Sequence, residues 1–318
     1  MRLRMALALI AGVFMTLAAC SPAAGPTAAS GKLRVVTTSN IVGDWVRNIA
    51  GDLAQIDSLV PAGADPHTYQ PSAHDVTKVA NADLIVTVGL GLEHKWLDKL
   101  IQNASADASK VVALGEGIDP IPFAGEHDDH GGGTPGPDKE EEPWDPHFWT
   151  DPVRAKTAVD LIAERLASAD ALRATTYRAN AAAYAQKLDE LDAWTKGQVA
   201  GIPTERRALV TSHETLGYFA DRYEFEVIGA VIPGISTDRE PTAAEMAELV
   251  NKVKEHGAPA IFTENTVSDK LAQRIAQDAG VKVVRSLYSD SLGSAGSPGD
   301  TYLGMIRANV NAIVEALR

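Results

Sequence analysis

The sequence predicts an α/β fold: two parallel-sheet lobes joined by a long rigid helix, with a ligand site in the cleft between the lobes. Three observations carry the prediction. Short β-branched runs alternate with amphipathic stretches in both halves, the pattern of parallel strands covered on both faces by helices. Ala171 to Val199 forms one long run rich in Ala, Leu, Glu and Lys, able to extend about 40 Å at ~1.5 Å per residue. And the histidines with the most distinctive surroundings sit just after strand-like runs, where parallel sheets bind ligands.

In chain order, residues 1–19 read as a secretory leader. Arg2 and Arg4 form its charged start, Leu7 to Leu17 its apolar run and Leu17-Ala18-Ala19 its small-residue end before Cys20. The run is too short to span a bilayer as a helix. Small residues ahead of a cysteine resemble the bacterial lipobox, which implies a lipid on Cys20 and tethering to the membrane outside the cytoplasm. Residues 20–31, rich in Ala, Pro, Gly and Ser, then form a flexible tether.

The N-terminal lobe is expected over 32–170. Its strands are Leu33 to Thr38, Gln55 to Val60, Asp83 to Val88 and Lys110 to Leu114. Its helices are Ile41 to Ala50, capped by Ser39, then Ala73 to Ala80, Glu93 to Gln102, and 153–167. Residues 115–144, crowded with Gly, Pro, Asp, Glu and His, are expected to be an irregular acidic loop. Residues 171–200 form the linker helix, read as a connecting strut. The C-terminal lobe, 201–318, repeats the rhythm with strands Ala208 to Thr211, Phe225 to Val231, Ala260 to Thr263 and Val281 to Arg285. Its helices are Leu216 to Tyr223, Ala243 to His256, Asp269 to Ala279 and Tyr302 to Leu317.

Composition narrows the function. A formal net charge of −13 argues against a basic nucleic-acid or anionic-membrane face and favours cationic ligands. Cys20 is the only cysteine, which excludes an intramolecular disulfide, a cysteine-ligated zinc and a cysteine nucleophile within the chain.

The stretch Trp144-Asp145-Pro146-His147-Phe148-Trp149-Thr150-Asp151-Pro152 holds a histidine between two Asp-Pro pairs, and its core recurs once as Asp65-Pro66-His67. Asp-Pro restricts the backbone, and Trp144, Phe148 and Trp149 are expected to bury the turn. His213 follows a strand directly, and Asp290 follows the last one. Two candidates from each lobe place a shared centre in the cleft. Three imidazoles and a carboxylate suit a borderline divalent cation in tetrahedral geometry, which favours zinc over magnesium or calcium. Taken singly, each histidine fits a satisfied or surface role equally well. His74, His94 and His256 fall on predicted helices and are assigned none. His127 and His130 lie in the acidic loop as an auxiliary metal-capture pair or as plain solvated residues. An enzyme would need an open metal position and a base, for which Glu214 is the candidate. No His-Glu-x-x-His, Gly-x-Ser-x-Gly or phosphate-loop motif supports that reading.

With these residues in hand, the chain resembles the metal-specific solute-binding lipoproteins of ABC importers, the zinc and manganese group called cluster A-I. The marks are Ile49-Ala50-Gly51-Asp52, Asp65-Pro66-His67-Thr68-Tyr69, Ala82-Asp83-Leu84-Ile85 with Gly89-Leu90-Gly91-Leu92-Glu93, and Asp145-Pro146-His147. To these are added Thr211-Ser212-His213-Glu214 with Gly217-Tyr218-Phe219, and Tyr288-Ser289-Asp290-Ser291-Leu292. The resemblance implies a metal bound by His67, His147, His213 and Asp290. Histidine at 213, where manganese members usually carry glutamate, favours Zn2+ over Mn2+. It further implies a non-enzymatic monomer that delivers zinc to a membrane permease driven by a cytoplasmic ATPase, with a metallochaperone as a further partner. The competing readings are a manganese carrier of the same fold and a zinc-dependent adhesin or hydrolase.

Overall fold

A computed structural model describes residues 31–123 and 144–318. Eight strands form at the predicted places, each within two residues of its expected ends. In the first half, β1 (Leu33–Thr37), β2 (Ala54–Ser58), β3 (Leu84–Thr87) and β4 (Val111–Ala113) pair in parallel in the order β2-β1-β3-β4. In the second, β5 (Ala208–Thr211), β6 (Glu226–Ala230), β7 (Ala260–Glu264) and β8 (Lys282–Leu287) repeat that topology as β6-β5-β7-β8. In each sheet the order reverses beside the first strand, and such switch points open a crevice at the strands' carboxyl ends.

Nine helices cover the sheets among the described residues: α1 (Asn40–Ala50), α2 (Ala73–Asn81), α3 (Leu97–Ala104), α4 (Pro152–Ala169), α5 (Ala174–Val199), α6 (Gly217–Tyr223), α7 (Ala243–Glu255), α8 (Lys270–Ala279) and α9 (Tyr302–Leu317). Local chemistry sets their starts. Ser39 Oγ accepts the Val42 N–H, as the sequence predicts, and Ser72/Asp75 and Thr242/Glu245 close reciprocal capping boxes on α2 and α7. Asp151 caps α4 with Pro152 in its first turn, so the second Asp-Pro pair of the tryptophan-rich stretch is a helix start.

Two elements differ from expectation. The helix predicted from Glu93 begins only at Leu97, because the Glu93 carboxylate turns inward. It accepts the Val88 and Gly89 N–H groups at 2.8 and 2.9 Å and the Thr38 hydroxyl, which pins the chain ahead of α3 as a turn and leaves His94 in it rather than on a helix. The long helix α5 is also more than a strut. Its buried face, with Tyr177, Ala181, Tyr184, Leu188 and Leu191, packs against α1, α4 and α9.

That packing makes one hydrophobic cluster continuous through both halves, from Val35 and Trp45 through Phe148, Trp149 and Tyr184 to Tyr218, Tyr302 and Met305. Smaller clusters lie beneath α7 and α8 and beneath α2 and α3. No helix among the described residues is long and apolar enough to cross a membrane.

Candidate metal centre

His67 and His147 enter the crevice from the first half, each on an Asp-Pro-His turn. In both turns the aspartate Oδ1 accepts the backbone N–H of the histidine two residues on, at 2.8 Å. The sequence echo is thus a structural echo, and proline holds the backbone extended into the turn. The aspartates diverge at their second contacts. Asp145 Oδ1 also accepts the His147 Nδ1–H at 2.7 Å, which leaves Nε2 with its lone pair. Asp65 Oδ2 accepts the Thr68 and Thr237 hydroxyls, the second of them across the crevice.

His213 follows β5 and Asp290 follows β8, and these complete a group in which all four ligand atoms lie within 4.8 Å of one another. All four residues are buried. His147 Nε2 is 3.3 Å from His67 Nε2 and 3.4 Å from His213 Nε2. Asp290 Oδ2 is 3.2 Å from His213 Nε2 and 3.7 Å from His67 Nε2, and Oδ1 is 3.7 Å from His147 Nε2. A tetrahedron built on bonds of 2.0–2.2 Å has edges of about 3.3–3.6 Å. The separations therefore suit one small cation at the centre. Without one, three imidazole nitrogens would face each other with no mutual hydrogen-bonding solution for all of them.

Burial and charge split the ring pKa values. Burial holds His67 well below the ordinary histidine value, against the pull of Asp290. Burial acts the same way on His213, but Glu264 and Asp290 outweigh it and hold that ring well above the ordinary value. Burial would raise Asp290, yet the three imidazoles, His213 foremost, keep its carboxyl well below the usual range. Asp290 Oδ1 accepts the Thr215 hydroxyl at 3.2 Å, while Oδ2 has no hydrogen-bond partner and faces the centre.

Glu264, at the end of β7, was not legible in the sequence as a site residue. Its Oε1 accepts the His213 backbone N–H at 2.9 Å and its Oε2 lies 2.7 Å from His213 Nδ1, a close ion pair rather than an in-line hydrogen bond. The available signal was a glutamate ending an otherwise uncharged strand. Glu214, the candidate base, points elsewhere: its carboxylate accepts the Gly234 N–H and lines a separate cavity of about 460 Å³ with Phe123 and β6. The aromatic residues also divide. Phe148 and Trp149 are buried, with the Trp149 indole N–H donating to Ser289 O at 2.8 Å beside Asp290, whereas Trp144 is 41% exposed. His74 and His256 are exposed on α2 and at the end of α7. Cys20, His127 and His130 lie outside the described residues.

Comparisons with known proteins cover nearly the whole chain. The family model for the periplasmic zinc-uptake complex component A matches residues 35–316. The metal ABC transporter substrate-binding lipoprotein SsaB of Streptococcus sanguinis is 34% identical over 95% of this chain and 94% of its own length. The manganese-binding lipoprotein MntA of Halalkalibacterium halodurans is 35% identical over 90% of this chain and 88% of its own. The solved structure of the periplasmic zinc-binding protein TroA from Treponema pallidum, 33% identical, superimposes with a TM-score of 0.80 over 90% of this chain and 99% of that one. A match across nearly the whole chain, with two sheets of one topology converging on a buried site for a divalent metal, shows that this protein belongs to the family of zinc-uptake component A proteins, the metal-binding substrate-binding components of ABC importers.

Proposed function

We propose that the protein captures Zn2+ outside the cytoplasm through His67, His147, His213 and Asp290 and hands it to a membrane permease coupled to a cytoplasmic ATPase. The observation that carries this reading is the near-tetrahedral spacing of three imidazole nitrogens and one carboxylate in a buried crevice. Imidazole-rich sets suit zinc, and four protein ligands would fill its shell, leaving no position for a metal-bound water of the kind a hydrolase needs. Lipid attachment at Cys20 would hold the carrier at the membrane, in keeping with relatives named as lipoproteins. We assign His127 and His130 the auxiliary role of metal capture.

Manganese is the second reading, and two observations favour it. MntA is named for manganese, and both oxygens of Asp290 face the centre, which allows a higher coordination number than four. Divalent zinc outcompetes manganese at most nitrogen and oxygen sites, so raw affinity for either ion alone does not decide. Metal analysis after equilibration with equal free zinc and manganese tests the zinc assignment from one side, since preferential retention of manganese would falsify it; the metal held after mild purification separates the two readings, and zinc is expected there.

A further inference from the structure

We propose that the dipeptide Glu264-Asn265, which supplies no ligand itself, positions both ligands contributed by the second sheet and thereby sets affinity and metal preference. The proposal rests on the metal-site reading above. Its basis is topological. β7 lies between β5 and β8, His213 follows β5 and Asp290 follows β8, so the carboxyl end of β7 emerges between the two ligands.

The two side chains divide the work. Glu264 grips His213 twice, at the backbone N–H and beside Nδ1. Its side chain is almost completely buried, so this contact is not diluted by solvent. Asn265 grips the Asp290 turn on both flanks: its Oδ1 accepts the Ser289 N–H at 3.2 Å and its Nδ2 donates to Ser291 O at 3.0 Å. Its own N–H donates to Leu287 O at 2.9 Å, which anchors the clamp to the end of β8. The backbone of both residues that flank Asp290 is therefore held by one side chain.

The consequence for metal binding is chemical. A carboxylate at Nδ1 keeps the ring proton there, so Nε2 offers its lone pair inward, and it makes the imidazole a stronger donor. It also adds buried negative charge near the cation, beside Asp290 and the Asp145 carboxylate behind His147. Buried carboxylates around the site offset the positive charge of the ion, and a buried charge left unmatched is costly. Without Glu264, an imidazole-preferring ion loses more than a carboxylate-preferring one.

The test titrates the full chain with Zn2+ and with Mn2+ by chelator competition, in the wild type, Glu264→Gln and Asn265→Ala. The glutamine keeps an oxygen for the His213 N–H but removes the charge. Circular dichroism and the metal-free melting temperature establish that each variant folds, and the two variants are independent arms. Glu264→Gln is expected to weaken Zn2+ by about 10–100-fold and Mn2+ by less, narrowing the ratio of the two affinities. Asn265→Ala is expected to weaken both ions about equally, because both use Asp290. Wild-type affinities in Glu264→Gln, or equal losses for the two ions, overturn the part assigned to Glu264. Wild-type affinities in Asn265→Ala overturn the part assigned to Asn265. A wild type that retains neither ion overturns the metal-site reading itself, which is seen before any variant is measured.

Discussion

On the proposed site, a proton and a metal compete for the same nitrogen of His213. Burial lowers its pKa, but Glu264 and Asp290 hold it well above the ordinary value, whereas burial keeps His67 well below. At neutral pH the metal-free ring therefore carries a proton that the metal must displace, while His67 is already neutral. Because the proton belongs to the metal-free state, acid favours that state. Affinity is expected to fall about tenfold per unit of acidification below the raised pKa of His213, by displacement of one proton. Dissociation constants measured across the neutral range check this, and a flat profile would contradict it. His213→Ala removes a ligand outright and should weaken zinc by more than the roughly 10–100-fold that a group behind a ligand controls. His256→Ala, exposed at the end of α7 with its ring 3.8 Å from Glu226, should change nothing. Equal effects of the two substitutions would sink the ligand set. The four clustered residues were legible from the sequence because each sits in a short marked motif after a strand or loop. Glu264 and Asn265 were not, since their role depends on β7 lying between two strands that are not its chain neighbours.

Strand and helix periodicity was legible at the scale of elements because each element's burial follows its own sequence pattern. The start of α3 was not, because it is decided by where the Glu93 carboxylate finds backbone donors. The packing of α5 was equally hidden: an alanine-rich helix reads as a strut until the faces of α1, α4 and α9 are placed against it. One glycine shows how tightly such faces meet. A Cβ on Gly43 of α1 would lie 2.2 Å from Ser58 Oγ and 3.1 Å from Thr37 Oγ1, two hydroxyls that hydrogen-bond at 2.9 Å under the helix. Alanine is the better helix former by roughly 1 kcal/mol. The overlap is expected to outweigh that gain, so Gly43→Ala should destabilise by about 1–3 kcal/mol. Adding Ser58→Ala, which removes the nearer hydroxyl, should recover part of the loss. Denaturant unfolding of the two single variants and the double variant measures the coupling, and a stabilised Gly43→Ala would show that the helix stands off the sheet.

At the scale of the whole molecule, the question is what holds the two halves together when no metal does. The ion pair between Lys95 and Asp238 crosses the crevice mouth, but it is partly exposed and such pairs are worth about 0–1 kcal/mol. The other links are deeper. Asn40 donates to Ser291 Oγ at 2.8 Å and accepts the Leu292 N–H at 2.8 Å, Gly63 N–H donates to the same Ser291 hydroxyl at 2.7 Å, and the Tyr302 hydroxyl donates to Trp149 O at 2.7 Å. Around them runs one continuous apolar cluster that includes α1, α5 and α9. Metal binding adds to this frame by mass action, about 2.7 kcal/mol at free metal 100 times its dissociation constant. Chelation should thus lower the melting temperature by several degrees, and His213→Ala should abolish the difference. Yet none of the buried links between the halves uses the metal, so the stripped protein should keep its dimensions. Small-angle scattering curves of metal-loaded and stripped protein are expected to superimpose. On the proposed site, release then falls to the turns that carry the ligands, beside the Asp65–Thr237 and Lys95–Asp238 contacts across the mouth. An expanded stripped form would mean instead that the shared core opens, and that the two halves move as separate bodies about α5.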